Sequence, residues 1–360
     1  MSLPSARPVA TGPFTRTARW TGRIAGLDFA RAIALIGMFA AHIGDAGTRG
    51  ADRNGWQWLW IFDGRASAIF AVLAGVTIAL MAAKDPLGTT HAAVRVATRG
   101  ALLMAAGYAV GALGTPVDVI LTNLGLMFVL VIPFLRVRPP VLLSAAVVAF
   151  TLGSVASRAA SDSLDGWWVV EKLVSENYPA LAWAGYVLVG MAIGKTDLRA
   201  RGTALMLVWI GALAAGLSYG TGVLCGGATP WSGLHSFSAA GVAWASVAPH
   251  SNTSFELIGN TGVALAVIGV CVAAVRSPRW IFPLLAFGSM SLTMYTAHIL
   301  VIAAVGDPIV WQPSNVALVV LTLVLIGAAT AWRVWVGAGP LERALTKAST
   351  GLADTTVRAP

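Results

Sequence analysis

What most constrains this chain is how often it turns apolar for long enough to cross a bilayer. Windows of about 20 apolar residues match the hydrocarbon thickness of a membrane. Ten such windows can be read, at 26–44, 64–83, 93–113, 117–135, 140–157, 179–195, 202–219, 255–275, 281–304 and 315–336. Of the 360 residues, 57% are hydrophobic and only 11% are charged, whereas a soluble domain carries about a quarter charged residues. The expected fold is an all-α integral membrane protein, a bundle of about ten transmembrane helices. It forms one membrane domain over 23–345, between a disordered tail at 1–22 and a second tail at 346–360. The charges Asp28 and Arg31 inside the first window argue against reading it as a cleaved signal peptide.

The net charge of +9 would suggest nucleic acid in a soluble chain. Sorting by connection removes that idea. Of the 24 Lys and Arg residues, 18 fall on one set of alternating connections and both tails. Five fall on the other set (Arg49, Arg53, Arg65, Arg158 and Lys172), and Arg31 lies within the first window. The positive-inside rule explains this bias. It predicts an even number of spans, both termini cytoplasmic, a bacterial cytoplasmic membrane and no nucleic-acid partner. Two outer connections are long: an acidic one over 158–178, and an almost uncharged, Gly-, Ser- and Trp-bearing one over 220–254. The second either dips back into the bundle or stays solvated with interfacial Trp. Cys225 and Cys271 cannot build a metal cage alone, and no metal is expected.

The first window carries three ionisable groups, which are costly in a bilayer and usually face protein or a wet cavity. At 100° per residue, Arg31 lies at about 300° and His42 at about 320° from Asp28, so all three share one face. Arg31 and His42 are about 16 Å apart along the axis, close to the reach of a pantetheine arm. One hypothesis is that a donor held by Arg31 presents its acyl group near His42. The plainer alternative makes Asp28 and Arg31 an i, i+3 pair at a helix start.

Other windows bring polar groups to the same outer depth. The second contributes Asp63 and Arg65, and the fourth Asp118, Thr122 and Asn123. The eighth opens with His250, Glu256 and Asn260, and the ninth carries Ser291, Tyr295 and His298 on one stripe. Taken singly, the charged ones read as interfacial residues at helix ends. Their convergence on one depth suggests a site. A histidine can take a proton from an acceptor hydroxyl or amine. Asp63 or Glu256 would hold the ring, while Arg65, Asn260 or Tyr295 would stabilise an oxyanion. The candidates are thus His42, Asp63, Arg65 and His298 as catalytic residues. Arg31 and Asp28 are candidates on the donor side, and His250, Glu256, Asn260 and Tyr295 at the acceptor. No Ser nucleophile motif or HExxH appears, so direct attack by the acceptor is preferred over a covalent enzyme, with an acyl-histidine left open.

The stretches "RIAGLDFARAIALIGMFAAH", "FDGRASAIFAVLAGVTIAL", "NYPALAWAGYVLVGMAIGKTDL", "PHSNTSFELIGNTGVALAVIG", "GSMSLTMYTAHIL" and "GPLERAL" follow one another in order. Together they resemble the heparan-α-glucosaminide N-acetyltransferase-like and YeiB-like bacterial membrane proteins over about 23–345. The resemblance implies a multi-span enzyme that takes an acyl group, usually acetyl from acetyl-CoA, at the cytoplasmic side and places it on a sugar outside. By the same comparison His42 is the candidate catalytic histidine and Arg31 a donor-side residue, although Ala32 follows Arg31 where the family has Gly. For a bacterial chain the expected acceptor is a cell-envelope glycan or glycolipid, and a homodimer stays open. Two competing readings remain. One is a transporter or flippase for an envelope lipid or small solute, which would use intramembrane charge equally well. The other is a non-catalytic partner of an envelope complex.

Overall fold

The computed structural model describes residues 23–47, 55–160, 168–174, 177–230, 243–275 and 281–357. The expected tail at 1–22, the centre of the long uncharged connection (231–242), and Arg49, Arg53, Asp162, Asp165 and Glu176 lie outside these residues. Among the described residues the chain is helical without strands. Its helices are α1 (Ala25–Ile43), α2 (Arg65–Ala83), α3 (Thr89–Gly111), α4 (Leu121–Leu130), α5 (Pro139–Ala160), α6 (Trp168–Val174) and α7 (Ala180–Gly194). They continue as α8 (Arg201–Leu224), α9 (Ser254–Ala274), α10 (Phe282–Ser289), α11 (Ser291–Val305), α12 (Pro308–Trp311), α13 (Asn315–Trp335) and α14 (Pro340–Val357).

Each of the ten apolar windows falls on a helix or a helix pair. Among the described residues six helical stretches are long and apolar enough to cross a membrane: α1, Gln57–Ala83, α5, α8, α9 and α13. The pair α10–α11 makes a seventh if it counts as one span, bent by 83° at Met290. The apolar helices α4 and α7 are shorter, at 10 and 15 residues. The first half of α3 carries His91, Arg95 and Arg99, which lowers its apolar character. This is a multi-pass helical membrane protein.

The bundle has an inner and an outer layer. In α7 every residue except Leu181 is buried, so it runs through the middle although it is short. The outer helices α5, α8 and α13 expose apolar side chains such as Leu152, Leu213, Leu217 and Leu323, as expected where lipid is the solvent. Small residues set the inner crossings, because helices in lipid associate through close packing. A Cβ on Gly75 of α2 would lie 2.0 Å from the Val187 carbonyl of α7, and one on Gly190 would lie 2.0 Å from the Val72 carbonyl. The two backbones are in direct contact. A Cβ on Gly288 would likewise lie 1.9 Å from the Asp28 carbonyl, so α10 lies flush against α1.

At one end of the bundle the finish of α1 meets the start of α13. Ser314 donates its N–H to Ile43 O at 3.0 Å, and Asp45 and Asn315 exchange bonds at 2.9 Å. The residues past 345 continue α14, whose Ser349 and Ala353 are fully buried.

Candidate active site

Two openings approach each other through the bundle, and the charged face of α1 runs beside both. At the end where α1 begins, a cleft of about 580 Å³ is lined by Arg23 and Arg31, by Arg99 of α3, by Arg333 of α13, and by Arg343 and Lys347 of α14. Its inner wall is apolar, with Phe70, Ala74, Leu121 and Leu124. Six cations beside an apolar floor suit a ligand that is polyanionic at one end and uncharged at the other.

Asp28 itself does not line the cleft. It is buried, and both carboxylate oxygens are occupied. Arg23 donates to them at 2.9 and 2.6 Å, and Arg31 at 2.7 Å. Arg31 spends a second nitrogen on Thr77 Oγ1 at 2.7 Å. Asp28 therefore orients two guanidiniums towards the cleft and compensates their burial.

At the opposite end a smaller cavity of about 120 Å³ is lined by His42, Asp63, Gly64, Ser67, Asp118, Asn177, Tyr178 and His250 among others. Gly64 sits in the left-handed region (φ 71°). The turn it makes gives its two charged neighbours different surroundings. Asp63 lines the cavity. Arg65 does not. It is buried and donates to Trp60 O, Asp63 O, Pro230 O and Tyr219 Oη at 3.1–3.2 Å, with its guanidinium over the Trp60 and Tyr219 rings.

Behind His42 stands His298, fully buried. His42 Nδ1 lies 2.9 Å from His298 Nε2, and the rings are nearly parallel, 11° apart. Phe39 covers the other side of His298 at 4.4 Å between ring centroids, and Tyr295 meets its edge at 5.0 Å. His298 and Tyr295 therefore stand behind the cavity lining, His298 in direct contact with His42.

His250 lines the cavity from a strained loop. It and Asn252 are the non-glycine residues with positive φ among the described residues, at 60° and 50°. Such conformations persist where the surroundings over-determine them. Here Glu256 does so. Its buried carboxylate accepts from His250 N at 2.8 Å, Asn252 N at 2.7 Å, Ser251 Oγ at 3.2 Å and Asn260 Nδ2 at 3.1 Å. Tyr219 donates in turn to Asn260 Oδ1. Glu256 and Asn260 therefore build the wall and do not line the space. On the far rim Asn177 donates to Asp118, and its carbonyl lies 3.4 Å from His250 Nδ1. Burial pushes the Tyr178 hydroxyl up to about 12, against the effect of its bond with Ser67 and with the Asp118 charge adding to it. Tyr178 stays a neutral group in the cavity wall.

Cleft and cavity come closest on α2 and at the start of α4. Ser67 and Phe70 line one each, as do Asp118 and Leu121. On α2 these three residues are about 4.5 Å of helix.

The family described as heparan-alpha-glucosaminide N-acetyltransferase, catalytic, matches residues 23–219, more than half of the chain. The chain belongs to this family. No curated protein matches it significantly. As a member of the heparan-alpha-glucosaminide N-acetyltransferase family, it is a membrane protein of an acetyltransferase class. The matched region holds Asp28, Arg31, His42, Asp63, Asp118 and Tyr178. His250, Glu256, Asn260, Tyr295, His298 and all of α14 lie beyond it.

Of the residues singled out in the sequence, His42, Asp63 and His250 line one cavity, and Arg31 lines the cleft. His298 and Tyr295 stand behind His42, Asp28 behind Arg31, and Glu256 and Asn260 behind His250. Arg65 joins the same wall through Tyr219, which bridges it to Asn260. Asp118, one of the converging polar groups, lines the cavity without having been given a role; residues not singled out for the site are Ser67, Asn177 and Tyr178 in the cavity, and Arg23, Arg99, Arg333, Arg343 and Lys347 in the cleft. The cleft cations were visible only as part of the charge bias.

Proposed function

We propose that this protein transfers an acyl group, acetyl first among candidates, from cytoplasmic acyl-CoA to an extracytoplasmic envelope saccharide or glycolipid. The carrying observation is a six-cation cleft and a two-histidine cavity whose linings lie three residues apart on α2, at Phe70 and Ser67. In this reading the bundle has ten passes with both termini cytoplasmic, in a bacterial cytoplasmic membrane, as the uneven Lys and Arg distribution supports. The cleft holds the donor phosphates through Arg31 and its neighbours, and the apolar wall receives the pantetheine arm. His42 takes the proton of an acceptor hydroxyl or amine as that oxygen or nitrogen attacks the thioester carbonyl. The new bond forms to the carbonyl carbon, the carbon–sulfur bond breaks, and the CoA thiolate takes up a proton. His298 sets the His42 tautomer. Asp63 lies in the same cavity to balance the imidazolium charge.

A second reading, transport of an envelope lipid or small solute, is favoured by one feature. The 83° break at Met290 interrupts a span beside the histidine pair, and broken helices are common at transporter sites. Proteoliposomes supplied with acetyl-labelled CoA at the cleft face separate the two, with D-glucosamine and extracted envelope glycolipid as acceptor probes at the other face. Label on the sugar, absent in His42→Ala, is the expected result. A solute crossing unmodified while the thioester stays intact would sink the enzymatic reading and leave the transporter.

A further inference from the structure

The helix α14 lies outside the matched family region, yet it forms one wall of the basic cleft through Glu342, Arg343, Thr346 and Lys347. Three sets of contacts hold it. At its start, the Glu342 carboxylate accepts from Thr293 N at 2.9 Å and Thr293 Oγ1 at 2.6 Å, tying α14 to the first turn of α11. In its middle, Arg99 donates to Thr346 Oγ1 at 3.1 Å and Ser349 Oγ at 3.2 Å. Near its end, Asp354 lies 3.4 Å from Nε2 of His91, whose Nδ1 is 2.7 Å from Asp85. The buried contact with α3 is made by small residues, Ser349 and Ala353.

The charges work against docking. Seating α14 brings Arg343 and Lys347 to a cleft already lined by Arg23, Arg31, Arg99 and Arg333. Glu342, held by Thr293, attracts Arg23 and offsets one of these two charges, so the wall that α14 adds is basic by one net charge. Like charges in a partly dry cleft repel over several ångströms. Arg99 also belongs to both systems, since it borders the cleft and holds two hydroxyls of α14. A polyanion in the cleft would remove the repulsion that opposes docking.

We propose that α14 is a donor-specificity element whose docking and polyanion binding form one coupled equilibrium. The ligand class is a phosphate-rich donor such as a coenzyme A thioester, and that identity rests on the proposed function. The coupling itself rests on the charge arrangement alone. Linkage is reciprocal, so whatever factor α14 docking adds to ligand affinity, the ligand adds to α14 docking. Arg99 acts here as a positioning residue, with Thr346 and Ser349 as its acceptors.

The test measures coenzyme A affinity and backbone hydrogen exchange over 340–357 on the detergent-solubilised full chain. Coenzyme A is expected to slow exchange in that segment about tenfold or more. The mild variant Thr346→Ala/Ser349→Ala, which keeps helix and packing, and the stronger Ala353→Arg should each weaken coenzyme A binding about tenfold. They should speed exchange in 340–357 without changing exchange in α7. Unchanged exchange in 340–357 on saturation of the wild type, or equal affinity in both variants, overturns the proposal. If coenzyme A does not bind the wild type, the donor reading fails. Inorganic triphosphate then decides the coupling: binding with protection of 340–357 upholds it, and no polyanion binding overturns it.

Discussion

His42 on α1 and His298 on α11 lie 256 residues apart in sequence, yet their ring nitrogens are 2.9 Å apart and their planes almost parallel. One ring must donate and the other accept, so the state of His298 selects whether Nε2 of His42 carries a proton. His42→Ala is expected to lower acyl transfer by about 10²–10⁴-fold, the usual contribution of a general base. His298→Ala should lower kcat by a smaller factor and leave KM for the donor unchanged, because it acts through His42. Turnover by both variants at the wild-type rate, with normal membrane insertion, would remove the pair from the mechanism.

Arg31 and Asp28 separate in the same way into a residue that borders the ligand space and one that aims it. Charge-assisted hydrogen bonds contribute about 1.5–3 kcal/mol. Arg31→Ala should therefore raise KM for acyl-CoA by about 10–100-fold, with kcat within a few-fold. Asp28→Asn should raise the same KM although Asp28 does not line the cleft, because Arg23 and Arg31 lose the negative charge they share and Arg23 loses one acceptor oxygen. Steady-state kinetics on reconstituted protein checks both. A kcat effect with unchanged KM would contradict the assignment.

Glu256 holds the loop that carries His250. Removing its carboxylate leaves the N–H groups of His250 and Asn252 without their acceptor and releases two left-handed residues. Buried groups left unsatisfied cost about 1–3 kcal/mol each. Glu256→Ala should lower thermal stability in detergent clearly, and Glu256→Gln, which keeps one acceptor oxygen, should lower it less. A melting temperature equal to wild type in the alanine variant would show that the loop is held by something else.

Asp85 predicts an acid limit. Burial opposes ionisation of its carboxylate, but bonds from His91, Arg95 and the Leu87 N–H outweigh this and hold it below the ordinary carboxylate value. A group depressed in the folded state stabilises the fold fully above its unfolded value of about 3.9. That stability is lost as pH falls through the lower folded value. Asp85→Asn should therefore be less stable than wild type at pH 7, and the difference should shrink below about pH 4. Denaturant melts in detergent across this range are the measurement. A difference that grew on acidification would reverse the sign and refute it.

Much of this arrangement can be read along single helices. The apolar windows locate the helices because a bilayer demands length and internal hydrogen bonding whatever the partners. The 3.6-residue repeat places Asp28, Arg31 and His42 on one face of α1. Sequence spacing does not say what that face meets. That His42 meets His298 depends on how α1 and α11 are set against each other, with α10 held flush on α1 at Gly288. The opposite fates of Asp63 and Arg65 depend on one left-handed glycine and on Tyr219, far along the chain. Glu256 reads as a ring-holding or acceptor-binding carboxylate by its type and depth, and only its four donors reveal a clamp. Arg333, Arg343 and Lys347 read as topology signals until α13 and α14 fold back over Arg31. Local sequence therefore determined the helices and the faces they offer, because hydropathy and helical pitch act within a few residues. The contacts across helices decided which polar groups share a space, because they depend on where small residues let backbones touch.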